Sequence, residues 1–134
     1  MLRRRLLAFS LFALALSPPL LLGAARAATV ADYTPQGFAA AQAEGKPILV
    51  HINAGWCPTC AKQRPILSQL EAKPEYRDLM VFRVDFDKQK DVVRQFEARM
   101  QSTLIAFHGR EETARSVGET RPDMIAQLVA SALH

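Results

Sequence analysis

Cys57 and Cys60 are the only cysteines in this chain of 134 residues, and two residues separate them. A largely apolar run at 48–52 precedes the pair, and a helix-like run at 61–72 follows it. A Cys-x-x-Cys between a strand and a helix places the first sulfur over the helix N-terminus, where free N–H groups and the dipole favour a thiolate. The second sulfur lies one helical turn further on, within bonding reach. The spacing predicts a pair that cycles between dithiol and disulfide.

The position of each cysteine predicts its part in the exchange. Cys57 is expected to be the attacking thiol, because it starts the helix and should be the more exposed of the two. Cys60 is expected to resolve the mixed disulfide. Pro58 and Thr59 add no positive charge between them, so we expect a moderately lowered thiol pKa and a reducing or intermediate redox poise.

The cysteine pair has other interpretations. A structural disulfide closing so short a loop would constrain the unfolded chain little. A structural zinc site usually takes four ligands, and the sequence has no second cysteine pair and no His-x3–5-His pattern. A non-enzymatic scaffold that holds a soft metal such as Cu(I) between the two sulfurs remains the alternative.

The surrounding pattern predicts secondary structure in the order β-α-β-α-β-α-β-β-α. Strands are predicted at 28–33, 48–53, 80–86, 103–107 and 113–117, and helices from Thr34-Pro35, at 58–72 with Pro65 inside, at 87–99, and from a capping-box-like Thr120-x-x-Asp123. Gly45 is predicted to end the first helix. Because β-α-β connections imply parallel pairs and the last two strands form a hairpin, we expect an α/β fold, a mixed central sheet with helices on both faces.

The first 27 residues have the pattern of a secretory signal peptide. Arginines occupy 3–5, an apolar run covers 6–16, two prolines follow, and Ala25-Arg26-Ala27 ends the segment. This pattern predicts cleavage before Ala28, one domain at 28–134, and a periplasmic or secreted location. An uncleaved anchor is the alternative, but the apolar run is shorter than the ~20 residues that a spanning helix needs. The general secretion route is favoured, although the arginines also resemble a twin-arginine signal.

Cleavage would also change the charge. Four of the 17 basic residues lie in the first 27, which leaves 13 to balance 13 acidic residues. The precursor's basic pI is therefore no argument for a nucleic-acid partner. We expect a monomer without a cofactor, without nucleic acid and without stable membrane association, in an oxidising compartment.

The motif itself resembles a known family. Trp56-Cys57-x-x-Cys60 after a buried strand, with Pro65 five residues later, is similar to the thioredoxin family over nearly all of the chain after residue 30. Cys-Pro-Thr-Cys resembles the periplasmic thioredoxin-like reductases of cytochrome c maturation. The resemblance implies the thioredoxin fold, oxidoreductase activity on protein disulfides or thiols, and a redox donor protein. Its substrate-contacting positions correspond here to Trp56, Pro58, Thr59, Gln101, Ser102 and Thr103.

Trp56 can be interpreted in two ways. Next to a reactive thiol, an amphipathic indole can shield the sulfurs and offer a flat surface to a partner. The alternative is a core aromatic.

His51 and Arg83 depart from the family pattern. His51 stands where the resemblance implies a buried acid that relays the proton of the resolving thiol. A neutral imidazole with a pKa near working pH could do the same, and is counted as a catalytic candidate. Equally, it could be a core histidine bonded to backbone. Arg83 stands where a partner lysine is implied and is expected to face solvent, while His108 and His134 are expected to be solvated bystanders.

Ser102 is the larger departure, because the resemblance implies a cis-proline there, facing the sulfurs. A cis bond without proline costs ~3 kcal/mol, so the Gln101–Ser102 bond is expected to be trans. We expect a differently shaped backbone and an open polar spot beside the sulfurs. Both would affect how substrate binds and how well metal is kept away.

Overall fold

The computed structural model describes residue 23 and residues 26–134. The predicted signal peptide therefore lies outside the described residues, apart from Gly23, Arg26 and Ala27. The elements in chain order are β1 (Thr29–Asp32), α1 (Pro35–Ala43), β2 (Pro47–Asn53), α2 (Pro58–Glu71), β3 (Met80–Asp85), α3 (Lys90–Gln95), β4 (Thr103–His108), β5 (Glu111–Val117) and α4 (Pro122–Ala130). Short 3-10 turns follow α2 and α4.

The five strands form one mixed sheet in the order β1-β3-β2-β4-β5. The strands β1, β3 and β2 are parallel, whereas β4 is antiparallel to both β2 and β5. In this register His51 on β2 lies between Arg83 on β3 and Leu104 on β4. The central position of β2 brings its carboxyl end, and the cysteine motif that follows, to the middle of one sheet edge.

Each face of the sheet is covered by two helices. An aromatic cluster fills the face under α1 and α3: Tyr33, Phe38, Phe82, Phe96 and Phe107. Its ring centroids lie 5.3–6.2 Å apart, mostly edge to face, an arrangement that aromatic quadrupoles favour. Aliphatic residues of α2 and α4 cover the other face, including Leu67, Leu70, Ile125 and Val129. Because both faces are covered, β2 is buried almost throughout, which is why its sequence does not alternate.

The predicted order, the hairpin and the α/β class are confirmed. Thr34 caps α1 by accepting the N–H of Gly37 at 3.0 Å, and Pro35 occupies the first turn. Gly45 ends that helix with a φ of +68°, a conformation that glycine adopts without steric cost. Among the described residues, no helix combines the length and the apolar character required to cross a bilayer.

Two predicted helices have wrong boundaries. The helix predicted at 87–99 is only Lys90–Gln95. Before it, the Asp85 carboxylate accepts the N–H groups of Asp87 and Lys88 and holds the chain in a turn, and beyond it Glu97 has a φ of +53°. The capping box predicted at Thr120 does not form either. The helix starts at Pro122, and Glu119 instead accepts the N–H groups of Thr120 and Arg121.

Candidate redox site

The two sulfurs lie where β2 ends and α2 begins. Cys57 is the N-cap residue of α2, and its Sγ accepts the main-chain N–H of Cys60 at 3.1 Å. Pro58 occupies the first turn, where no intrahelical N–H is needed. Both cysteines are thiols in this structure. The first sulfur therefore takes the place of a capping oxygen at the positive end of the helix.

The exposure expected for Cys57 is not found. Its relative exposure is 1%, against 0% for Cys60, so accessibility does not distinguish the two thiols. Both pack with Ala54 under the partly buried ring of Phe86. The two sulfurs differ in their position on the helix. Because Cys57 is almost fully buried, a substrate can reach it only if the residues that cover it move aside.

Cys60 is held in its protonated form. Burial raises the pKa of its thiol, and the hydrogen bond with Cys57 adds to the effect. Main-chain N–H donors of Ala54 and Ser102 act in the opposite direction and lower that pKa. Cys60 is thus a thiol in the resting dithiol, and the N–H groups around it favour the thiolate that must form when it attacks.

Trp56 forms an exposed part of the rim, which excludes the core-aromatic interpretation. Its relative exposure is 60%, and its indole Nε1 donates to Asp87 Oδ2 at 2.7 Å. The turn that shortens α3 brings Asp87 to this position. Sequence reasoning missed Asp87, because its partner is 31 residues away in the chain.

His51 is buried, but it is hydrogen-bonded neither to backbone nor to a sulfur. Within the described part of the chain, its one side-chain hydrogen bond joins Nε2 to Gln63 Oε1 at 3.3 Å. Burial lowers its pKa from 6.5 to about 4; the Gln63 bond opposes this, while Arg83 and Arg64 add to it. The expectation of a pKa near working pH is therefore wrong. A neutral imidazole this weakly basic is poorly matched to take a proton at neutral pH.

Gln63 is a site residue that sequence reasoning missed. It is fully buried on α2, and its Nε2 donates to the carbonyl oxygens of Ser102 at 3.1 Å and Glu119 at 3.0 Å. Gln63 lies on the same face of the helix as Leu67 and Leu70. A single amide within that apolar stripe was the available signal, because buried polar groups almost always have hydrogen-bond partners.

Ser102 has a conformation that proline cannot take. The peptide bonds of the described residues are all trans, as predicted for Gln101–Ser102, and Ser102 has a φ of +57°. Proline is confined to a φ near −65°. The open polar spot expected here is absent, because Ser102 is 5% exposed and its hydroxyl donates to the Gln101 carbonyl.

The other candidate positions are spread between rim and core. Pro58 is exposed, and Thr59 and Gln101 are half-buried at the rim. Thr103 is fully buried, and its hydroxyl donates to the Met100 carbonyl, so its side chain is not available to a substrate. Arg83 is exposed, as expected.

The two remaining histidines lie away from the sulfurs. His108 is the last residue of β4, and its Nδ1 donates to the Ala132 carbonyl at 2.9 Å. It is therefore exposed but not a bystander. His134 is exposed, as expected.

Neither the clefts nor the possible metal ligands of the described residues indicate a functional site elsewhere. A cleft of about 400 Å³ at the carboxyl ends of the parallel strands is lined by Asp32, Asn53, Arg83, Asp85, Lys88 and Gln89, without either sulfur. We assign the site by its chemistry instead. Across the described residues, no three His, Cys, Asp or Glu side chains converge as metal ligands.

Comparison with known sequences gives a consistent result. The family model described as thioredoxin matches residues 29–131. An H-type thioredoxin of Brassica campestris is 30% identical over 101 residues, which cover 75% of this chain and 80% of that protein. Thioredoxin H3 of Arabidopsis thaliana is 31% identical over 100 residues, covering 75% and 82%.

Comparison with solved structures agrees. Trxlp from Edwardsiella tarda EIB202 is 44% identical, with a TM-score of 0.73 over 75% of this chain and 98% of that one. Thioredoxin NaTrxh from Nicotiana alata has a TM-score of 0.67 at 21% identity, over 80% of this chain and 93% of that one. At that identity the second similarity concerns the fold alone.

The buried neutral His51 predicts an acid-sensitive stability. Because its folded pKa of about 4 lies below the ordinary 6.5, its contribution is present above pH 6.5 and is lost as pH falls toward 4. The loss amounts to about 3 kcal/mol of unfolding free energy. Urea unfolding from pH 7 to pH 4 should show a flatter profile for His51→Leu, whereas His134→Gln should follow the wild type. Parallel profiles for His51→Leu and wild type would contradict the assignment.

The backbone of Ser102 predicts that two substitutions differ in their effect on stability. Ser102→Pro should destabilise by more than about 1 kcal/mol, because proline cannot adopt the positive φ. Ser102→Gly should stay within about 1 kcal/mol of wild type, since glycine accepts this conformation. Thermal melts of both variants measure the difference. A Ser102→Pro protein as stable as wild type would mean that the loop also accepts a proline conformation.

Proposed function

The chain belongs to the thioredoxin family, and we propose that it is an exported oxidoreductase that reduces or exchanges protein disulfides through Cys57 and Cys60. Proteins of this family are thiol–disulfide oxidoreductases that act on protein thiols with a reductant partner, and in that coarser sense the activity of this chain is established. The export, the direction and the role of each residue belong to the proposal.

The observation that carries the residue roles is the asymmetry at the start of α2. Cys57 Sγ lies at the helix N-terminus and accepts an N–H, while the pKa of Cys60 is raised by burial. Cys57 attacks a substrate disulfide as a thiolate, forms a mixed disulfide and releases one substrate thiol. Cys60 then loses its proton and attacks Cys57 Sγ. The bond to the substrate breaks, the second substrate thiol leaves, and the enzyme disulfide remains.

The substrate would dock on the exposed rim around the sulfurs. The large hydrophobic side chains that are exposed in the described part of the chain are Trp56, Met100 and Val117. Trp56 precedes Cys57, Met100 lies just before Ser102, and Val117 is paired with Thr103. Their position supports an apolar contact surface beside Cys57, with Pro58, Thr59 and the Gln101–Ser102 backbone bordering it. Docking there would also move the rim that covers Cys57.

A proton relay through His51 is not part of this mechanism. Its lowered pKa and its bond to Gln63 favour a neutral hydrogen-bonding role below the sulfurs. The Cys60 proton can leave to water or to the departing substrate thiolate once the mixed disulfide has opened the rim.

The two cysteines predict different outcomes on substitution. Cys57→Ser should abolish the reduction of insulin disulfides, because the attacking sulfur is gone. Cys60→Ser should accumulate mixed disulfides, visible as adducts on a non-reducing gel and by mass, because the resolving sulfur is gone. The double variant serves as the control and should form no adduct. Adducts on Cys57→Ser but not on Cys60→Ser would reverse the roles.

Export predicts a defined N-terminus at Ala28. The N–H of Ala28 donates to the Glu71 carbonyl at 2.8 Å, while Ala27 is exposed, so cleavage between them would leave the domain's first hydrogen bond in place. The intact mass of protein expressed in a Gram-negative host and recovered from its periplasm should therefore begin at Ala28. Ala27→Leu should retard processing, because a bulky residue replaces a small one at the cleavage site. Recovery of a membrane-bound product that retains Met1 would contradict export with cleavage.

A further inference from the structure

We propose that Gln63 is the positioning residue of this redox site, because its side-chain amide, one helical turn beyond Cys60, bridges His51 to the main-chain segments at Ser102 and Glu119. The inference rests on the proposed roles of Cys57 and Cys60. It assigns Gln63 a part in the second step of the reaction, in which Cys60 resolves the mixed disulfide. It concerns a residue three positions beyond Cys60, outside the cysteine motif.

The hydrogen bonds of Gln63 determine its orientation. Its NH2 group faces two carbonyl oxygens, those of Ser102 and Glu119, so the amide nitrogen must lie on that side. The amide oxygen therefore faces the His51 ring and can only accept. It follows that neutral His51 carries its proton on Nε2 and leaves Nδ1 unprotonated.

The two carbonyls belong to the segments on either side of the β4–β5 hairpin. Ser102 immediately precedes β4, and Glu119 lies two residues beyond β5. The Ser102 carbonyl also accepts the N–H of Gly118 at 3.0 Å, which joins the same two segments. Gln63 thus ties both ends of the hairpin to the helix that carries Cys60, across 39 and 56 residues of chain.

The bridge has a consequence for Cys60 because Ser102 is part of it. The main-chain N–H of Ser102 acts on the Cys60 thiol and opposes the rise of its pKa caused by burial. Ser102 has a positive φ, a conformation that a serine keeps only where its surroundings hold it. By holding the Ser102 carbonyl, Gln63 fixes the backbone at Ser102, the residue whose main chain lowers the pKa of the Cys60 thiol. Gln63 therefore acts on the resolving thiolate through Ser102.

The charged groups near His51 do not connect α2 to the ends of the hairpin. Arg64 and Glu71 on α2 and Arg83 on β3 line a cavity of about 70 Å³ that reaches the ring. All three lie on the side of α2 and β3, and none of them bonds to Ser102 or Glu119 within the described residues. The link to the hairpin is made by the neutral amide.

The test separates the two steps of the reaction with one equivalent of the chromogenic disulfide 5,5′-dithiobis(2-nitrobenzoate). Attack by Cys57 releases the first thiolate, and resolution by Cys60 releases the second. Gln63→Leu and Gln63→Met remove the bridge with side chains of similar size, and Gln69→Leu, at an exposed position of the same helix, is the matched control. Stopped-flow absorbance follows both phases from pH 6 to pH 10.

We expect the first phase of both Gln63 variants to match wild type and the second to slow by about a few-fold at pH 7, because the pKa of Cys60 rises further when the Ser102 backbone is no longer held. The slowing should shrink as pH rises and the Cys60 thiolate becomes more populated in every protein. Gln69→Leu should behave as wild type. Unchanged second phases in folded Gln63 variants, or a slowing that is the same at pH 10 as at pH 7, would overturn the proposal.

A second measurement needs no variant. Long-range 1H–15N correlation spectra of the wild-type protein report the His51 tautomer, which should be the Nε2–H form; the Nδ1–H form would overturn the proposed bridge even if the Gln63 variants failed to fold. The wild-type reaction itself tests the proposed function separately. If wild type gave no second release, the cysteine roles would fail whatever Gln63 does.

Discussion

The hydrogen bond from the main-chain N–H of Cys60 to Cys57 Sγ is the interaction on which the site depends. It exists because β2 ends and α2 begins within a few residues, so that a sulfur takes the place of the capping oxygen. The same short connection puts one thiol at the positive end of the helix and the other one turn inside it. The two side chains have nearly equal exposure, yet they differ chemically, because one sulfur accepts an N–H at the helix N-terminus and the other is desolvated one turn inside, which raises its pKa.

Between β2, α2 and the two ends of the β4–β5 hairpin, the protein relies on neutral hydrogen bonds. A buried charge is costly unless it is paired, and the strand position that faces α2 here holds His51, whose pKa is lowered so that it stays neutral. Gln63 satisfies the imidazole and two carbonyl groups at once. The arginines remain at the outer edge of this face, where water solvates them. The network thus joins helix and hairpin without burying a charge.

Hydrogen bonds between neutral and charged polar groups also determine the shape of the backbone near the site. Ser102 is kept at a positive φ while its carbonyl accepts from both Gly118 and Gln63, and its own hydroxyl turns back onto Gln101. The turn after β3 is stabilised in a comparable way, since Asp85 accepts two main-chain N–H groups and thereby brings Asp87 to the indole of Trp56. Both segments are loops whose shape depends on a few side-chain bonds.

The sequence alone determined what depends on near neighbours along the chain. The Cys-x-x-Cys spacing, the Thr34 cap with Pro35, and Gly45 at a helix end each act within one turn, and the apolar pattern of the strands was sufficient for element order and fold.

Only the tertiary structure decided which residues meet across the fold. Distant segments supply the partners of Trp56 and Gln63: Asp87 is 31 residues from Trp56, and the carbonyls that Gln63 contacts are 39 and 56 residues from it. The burial of Cys57 likewise depends on side chains that pack against it in the folded protein. Local pattern carries no information about such partners, because a hydrogen bond over that distance exists only once the sheet and both its layers have assembled. For the same reason the pKa of His51 could be inferred only after its burial was known.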